Sequence, residues 1–298
     1  MPELPEVETT VRGLQEKVLT RAFIGVWTDW EKIIKKPKNF KEFEKQIENK
    51  KIEKIWRRAK NVIFDLSGGC SLLVHQKMTG HLLAGKWQAV NGEWIPDEAG
   101  PLNDPYNRFI HLVFFLDDGG MIALSDLRKF AKVELWKTEE LINSKEFKNL
   151  GPEPLDKNFT FGKFKSALRQ NPPSPKLRQG KIKQILMDQN VIAGIGNIYS
   201  SEALWRAKIH PEKSVANLSE KELKSLYQAI KKVLELGVNL GGESFSDYRK
   251  PDGSKGDFDA ERKAYKREGQ KCHRCGAKIK RIKVAQRSAF FCSHCQKL

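Results

Sequence analysis

From residue 3 to 19, charged and apolar residues recur at helical spacing, and Val7, Val11, Leu14 and Val18 fall on one stripe. This predicts an amphipathic helix whose first turn carries Glu3 and Glu6. From about Ala22 to Trp136 the pattern changes to short apolar or β-branched runs at residues 23–30, 62–66, 72–75, 108–116 and 121–125, which predict strands. Ser67-Gly68-Gly69 and Asp117-Asp118-Gly119-Gly120 separate such runs as hairpin turns.

Gly151-Pro152-Glu153-Pro154 ends this stretch, because each proline disfavours helix in the residue before it. Residues from Phe159 to about Leu240 then follow a helical pattern. Ser219 and Glu222 form a capping box ahead of Leu223, Leu226 and Ile230. Asn171-Pro172-Pro173-Ser174-Pro175 interrupts it as a loop, and residues 241–259, rich in Gly, Ser and Asp, predict a long loop. No internal repeat is visible. The expected division is an N-terminal domain over 1–136, a linker over 137–158, a helical domain with its loop over 159–259, and a C-terminal module over 260–298.

A chain of 298 residues with 39% hydrophobic content can bury a sizeable core in more than one domain. Its net charge of +17 is the footprint of a polyanionic partner, with nucleic acid ahead of an anionic membrane. The opening Met1-Pro2-Glu3-Leu4-Pro5-Glu6 does not read as a signal peptide, and no segment is long and apolar enough to span a bilayer. The cytoplasm is the expected compartment.

Four of the five cysteines form Cys272-x2-Cys275-x16-Cys292-x2-Cys295. Two C-x-x-C knuckles at this separation supply four thiolates for one tetrahedral zinc, the alternative being unrelated thiol pairs. With all four positions filled no site is left for water, so such a zinc is structural. His273 and His294 are read as bystanders, and Cys70 as a buried small apolar residue. Lys278, Lys280, Arg281, Lys283 and Arg287 lie between the knuckles and either reach phosphates or form a solvated face; Arg287, near the tip, is the better candidate for contact.

Pro2-Glu3 has a chemical logic of its own. An α-amine ionises near ~8 against ~10.4 for lysine, so more of it is neutral at pH 7, and a helix behind it favours the neutral form further. A secondary amine condensing with a sugar C1′ gives an iminium with no N–H to lose. An ordinary helix start is the alternative, since proline is common there. The chemistry requires Met1 to be removed, which a small second residue permits.

Met1-Pro2-Glu3-Leu4-Pro5-Glu6-Val7-Glu8-Thr9, together with the four-cysteine tail, resembles bacterial formamidopyrimidine-DNA glycosylase. The resemblance runs through the chain in order: Arg57-Arg58-Ala59-Lys60, His75-Gln76-Lys77-Met78-Thr79-Gly80, Asp126-Leu127-Arg128-Lys129-Phe130, Leu150-Gly151-Pro152-Glu153-Pro154-Leu155, Asp188-Gln189, and Ala193-Gly194-Ile195-Gly196-Asn197-Ile198-Tyr199. It implies an α+β multidomain fold: an N-terminal helix with a β-sandwich, a helix–two-turn–helix domain, and a zinc ribbon.

The same resemblance implies a monomer that binds damaged double-stranded DNA, extrudes an oxidised purine, excises it through a Schiff base on Pro2, and cuts the strand by β- and δ-elimination. Glu3 is then the acid that opens the sugar, Glu6 lines the lesion pocket, Lys60 serves β-elimination and holds a phosphate, and Arg287 assists the δ step. The flipped base leaves a gap that must be filled. Met78 and Phe130 match the wedges and Arg128 the partner of the estranged cytosine, whose edge suits a planar fork; core packing is the alternative for the two apolar residues. Asn197 matches a phosphate ligand at a helix N-terminus, or else Gly194-x-Gly196 is a tight helix corner. Asn107 and Arg178 match further DNA-contacting positions.

Gln76-Lys77 departs from the usual Leu-Gly of relatives, which makes the expected strand carrying Met78 more polar and adds a cation close to the DNA groove. A related endonuclease VIII type, which prefers oxidised pyrimidines, typically opens Pro-Glu-Gly-Pro-Glu, so Leu4 argues against it. A catalytically silent zinc-ribbon DNA-binding protein is the rival from another class. A membrane-surface protein is disfavoured because the cations are spread over several motifs.

Overall fold

The computed structural model describes residues 1–170, 180–245 and 247–298; Arg178 and the 171–175 loop lie outside the described residues. The chain forms two compact units, one of Met1–Lys148 with Leu240–Asp259, the other of Asn149–Asn239 with Ala260–Leu298. The contacts of residues 240–259 thus differ from the sequence expectation, which kept them with the helical segment.

In the first unit the N-terminal helix runs Leu4–Val18 and buries the whole predicted stripe of Val7, Val11, Leu14 and Val18. It is followed by β1 (Phe23–Thr28), β2 (Ile34–Lys36), β3 (Ile52–Arg58), β4 (Asn61–Leu66), β5 (Cys70–His75), β6 (His81–Gly85), β7 (Trp87–Val90), β8 (Glu93–Pro96), β9 (Ile110–Leu116), β10 (Met121–Ser125) and β11 (Lys132–Lys137). Two sheets, ordered β1-β9-β10-β6 and β2-β11-β5-β4-β3, make the sandwich, and β7 with β8 forms a separate hairpin.

Period-two alternation decides what each strand buries. Leu112, Phe114 and Leu116 of β9 join Val62, Phe64 and Leu66 of β4 in one core with the helix stripe, whereas Val113 packs with Leu83, Trp87 and Ala123 on the other face. Gly68 and Gly69, at φ of 77° and 69°, turn β4 into β5; a side chain would be strained in this left-handed region.

In the second unit the helices Ile182–Met187, Asn197–Ala207 and Glu220–Asn239 carry the fold. The predicted capping box is formed: Ser219 N–H donates to Glu222 Oε2 at 2.8 Å and Glu222 N–H to Ser219 Oγ at 3.2 Å. A hairpin of strands Ile279–Val284 and Arg287–Cys292 ends the chain. Among the described residues no helix is long and apolar enough to cross a membrane.

Candidate active site and metal centre

Pro2 is buried immediately ahead of the first helix. Glu3, 2% exposed, is its N-cap, and its N–H donates to Glu6 Oε2 at 2.7 Å. The other oxygen, Glu6 Oε1, accepts from Glu243 N–H at 2.8 Å, and the Glu6 carbonyl accepts from the Tyr248 hydroxyl at 3.0 Å. Glu6 therefore does more than complement a helix dipole: it joins the N-terminal turn to residues 240–259. Gly242 is required there, since a Cβ would lie 2.9 Å from Glu6 Cγ, and its φ is 83°.

Lys60 sits in the two-residue turn between β3 and β4, next to Ala59 at φ 54°, and is 6% exposed, so it is no ordinary surface lysine. The turn is tied to the N-terminal helix, because Arg57 Nε pairs with Glu8 Oε2 at 2.9 Å and Gln15 Nε2 donates to the Ile55 carbonyl at 2.6 Å. Burial, then the charges of Lys77, Lys60 and Lys132, press the pKa of His75 down to about 3, so it is neutral. Its Nδ1 accepts the Lys77 N–H at 2.9 Å.

Met78 and Phe130 are 36% and 52% exposed, which excludes core packing for both. The Arg128 guanidinium lies 4.5 Å from the centre of the Phe130 ring. Buried Asp126 organises the loop bearing these two: its Oδ1 accepts from the Thr79 hydroxyl, its Oδ2 from Ala131 N–H at 2.7 Å, and Arg128 N–H donates to Thr79 Oγ1 at 3.2 Å. Gln76 turns inward at 1% exposure and Lys77 takes φ 54°, so the departure from the family motif lies in a turn rather than a strand. Leu127, 49% exposed in the same loop, carries no sequence signal of its own.

Asn107 corrects an expectation. It is 2% exposed, its Nδ2 donates to the carbonyls of Pro101 at 3.0 Å and Gly253 at 3.2 Å, and its Oδ1 meets His81 Nε2 at 3.0 Å. A side chain whose polar atoms are engaged inside the unit is not placed to contact DNA directly. Cys70 is likewise half-buried rather than buried, with its Sγ 3.7 Å from the Gly68 carbonyl.

In the second unit Gln189 closes the corner between two helices: Nε2 donates to the Met187 and Ile195 carbonyls at 3.0 and 2.8 Å, and Oε1 accepts from Gly194 N–H at 2.8 Å. Gly194 takes φ 87°. Asn197 opens the second helix, half-buried, and its Oδ1 has no hydrogen-bond partner among the described residues. Fully buried Lys183 donates to the Asn197 carbonyl at 2.8 Å, Ser200 Oγ at 2.9 Å and Ser201 Oγ at 2.6 Å. The sequence gives no hint of this, since lysine at a helical position is normally solvated.

The four Sγ atoms of Cys272, Cys275, Cys292 and Cys295 lie within 4.8 Å of one another. Tetrahedral zinc with Zn–S near 2.3 Å sets sulfurs about 3.8 Å apart, and the Cys275 Sγ is 3.5 and 3.4 Å from those of Cys292 and Cys295. Burial and the neighbouring thiols push Cys295 up to about 12, a cost that a bound dication removes. The donor set fits zinc, and no histidine belongs to it.

The knuckles are anchored within the unit. Arg274 lies 3.8 Å from the Trp205 ring centre, Gln296 donates to the Ile209 carbonyl at 2.8 Å, and Glu202 accepts the N–H groups of Lys263, Ala264 and Tyr265 at 2.7 to 2.9 Å. Burial raises the pKa of Glu202 despite these three donors. Ala285 and Gln286, both at positive φ, make the hairpin tip, and Arg287 follows it, exposed, with Lys278, Lys280, Arg281 and Lys283 exposed along the same ribbon.

A helix-capped sandwich with a buried N-terminal Pro-Glu pair, a helix–two-turn–helix corner and a four-cysteine ribbon define a DNA glycosylase. Family models match throughout: the formamidopyrimidine-DNA glycosylase N-terminal domain at residues 1–133, the formamidopyrimidine-DNA glycosylase H2TH domain at 150–249, and the zinc finger found in FPG and IleRS at 269–298. The chain belongs to the formamidopyrimidine-DNA glycosylase family of base excision repair. It is 39% identical over 298 residues to the formamidopyrimidine-DNA glycosylase of Pelotomaculum thermopropionicum, covering 100% of both chains. The enzyme of the same name from Desulforamulus reducens is 37% identical, with 100% of this chain and 99% of that one covered. Among solved structures, a Lactococcus lactis FPG mutant in complex with Fapy-dG containing DNA matches with a TM-score of 0.84 at 33% identity, covering 100% of both chains. MutM in complex with DNA containing carbocyclic 8-oxo-G matches with a TM-score of 0.83 at 33% identity and the same coverage.

Proposed function

We propose that this enzyme is a bifunctional glycosylase and apurinic/apyrimidinic lyase that removes 8-oxoguanine and formamidopyrimidines from damaged double-stranded DNA, acting as a monomer in the cytoplasm. The observation that carries it is Pro2, buried beside Glu3 at the head of a helix whose first turn is held by Glu6. Once Met1 has been removed, the Pro2 amine attacks C1′ of the flipped nucleotide, and the bond from C1′ to the base breaks as the base departs with a proton. Glu3 protonates the ring oxygen, the sugar opens, and the C1′–N bond becomes an iminium. Loss of a C2′ proton then expels the 3′ phosphate, with Lys60 assisting, and a further elimination expels the 5′ phosphate, with Arg287 assisting. A one-nucleotide gap remains.

Glu6 lines the lesion pocket in this mechanism. Exposed Met78 and Phe130 fill the gap in the stack, and Arg128 hydrogen-bonds the estranged cytosine. Asn197 holds a phosphate at the head of its helix. Arg178 takes a place beside the lesion strand by resemblance alone. Cys272, Cys275, Cys292 and Cys295 hold one zinc, which folds the ribbon carrying Arg287 and supplies no reaction step.

Borohydride reduction during reaction with an 8-oxoguanine duplex, followed by peptide mapping, tests the mechanism. The expected adduct is on Pro2; attachment at Lys60 overturns it. Faster release of an oxidised pyrimidine than of 8-oxoguanine would instead favour the endonuclease VIII type.

A further inference from the structure

Residues 240–259 are far from the sandwich in sequence, yet two buried sites pin them to it. One is Glu6, reached by Glu243 N–H and the Tyr248 hydroxyl. The other is formed by Asn107 and Arg249, 2% and 1% exposed. Asn107 holds the Gly253 carbonyl, while Arg249 pairs with Asp104 Oδ1 at 3.0 Å, donates to the Tyr248 carbonyl at 2.7 Å and lies 4.7 Å from the Tyr106 ring centre. Partial burial opposes the Asp104 charge, but Arg249 and the Tyr106 N–H hold its pKa below the usual range. A buried arginine in such a pair fixes geometry, because moving it away leaves both charges uncompensated.

Asn107 has a defined orientation. Its Nδ2 faces two carbonyls, so Oδ1 faces His81, and His81 Nε2 must carry a proton and donate. The other ring nitrogen lies 3.4 Å from the carbonyl of Thr79, whose hydroxyl joins Asp126 and the Arg128 N–H. With its one ring proton on Nε2, neutral His81 leaves Nδ1 without a hydrogen to offer that carbonyl, so its side chain continues to Asn107 and Gly253, while its link to the Met78–Thr79 turn is the backbone, two residues along the chain from Thr79.

We propose that Asn107 and Arg249 are positioning residues that fix residues 240–259 against Glu6 as a wall of the lesion-base pocket, with His81 tying this latch to the turn that carries Met78. The inference rests on the oxidised-purine function proposed above. A Gly-rich segment pinned at two sites keeps a shape able to select a base, and an unpinned one spends most of its time in others. An abasic site presents no base, so its cleavage does not need the wall.

Single-turnover release of 8-oxoguanine, cleavage of a preformed abasic duplex, and Kd for a duplex with a non-cleavable abasic analogue are measured for wild type, Asn107→Ala, Arg249→Ala and Arg249→Lys. Base release is expected to fall roughly tenfold or more in both alanine variants, with abasic cleavage and Kd within about twofold of wild type on the same scale. Arg249→Lys keeps the buried charge but gives up the fork, so it should fall less than Arg249→Ala, and it carries the comparison if an alanine variant does not fold. Equal losses on both substrates, a Kd loss matching the loss of release, or unchanged release each overturns the latch. Failure of wild type to release 8-oxoguanine overturns the functional assignment and the latch together, whereas equal losses beside a normal wild type overturn the latch alone.

Discussion

The Thr79 hydroxyl donates to Asp126 Oδ1, a side-chain bond across 47 residues that ties the turn bearing Met78 to the loop bearing Arg128 and Phe130. Asp126 is fully buried and serves both Thr79 and Ala131 N–H, so Thr79→Val leaves a buried carboxylate oxygen short of a donor. The expected cost is about 1–3 kcal/mol of stability. Release of 8-oxoguanine opposite cytosine should fall more than abasic cleavage, because an abasic nucleotide needs less extrusion work. Paired melting and single-turnover measurements check this, and equal kinetic losses count against a gap-filling role for the two loops.

Pro2→Gly should keep DNA affinity but lose most base release and most borohydride-trappable adduct. Glycine still offers an α-amine, yet it lacks the ring that fixes the direction of the lone pair toward C1′. A retained Met1 should be worse, since the Pro2 nitrogen is then a tertiary amide. Mass analysis of the mature chain alongside trapping yield separates the two cases; a fully active protein with Met1 in place would sink the mechanism.

Cys275→Ala should lose zinc and unfold the ribbon, because metal binding and folding share one free energy in such modules. DNA affinity is expected to drop together with zinc content. Metal analysis and a titration with abasic-analogue duplex read both, and native values for either would refute the assignment.

Acid should destabilise the first unit through two histidines. Burial holds His81 neutral, its pKa down at about 4, with Arg249 lowering it and Asp126 and the Asn107 contact raising it; His75 stands at about 3. Both are depressed from 6.5, so the unfolded chain binds more protons as the pH drops below that value. Stability therefore falls from about pH 6.5 down to about 4 for His81 and about 3 for His75, at ~1.4 kcal/mol per unit and histidine at most. Urea denaturation across this range should show a shallower slope in His81→Gln. An identical slope would mean that His81 is not buried neutral.

Local periodicity and spacing determined much of this protein. The stripe Val7, Val11, Leu14 and Val18, the turn at Gly68-Gly69, the box at Ser219 and Glu222, and the paired knuckles of Cys272 to Cys295 each depend on residues close in sequence, whose propensities act before any tertiary contact forms. The motifs around Pro2, Lys60, Met78 and Arg128 were legible as a family pattern. Only the tertiary structure decided that Asn107 faces inward, that Lys183, Glu202 and Arg249 are buried, and that residues 240–259 pack on the sandwich. A polar side chain is buried when distant parts of the chain supply its partners, as Asp104 does for Arg249 and Ser200 and Ser201 do for Lys183. Burial of this kind is set by the fold that brings those partners together, and no local pattern of hydrophobic and polar positions encodes it.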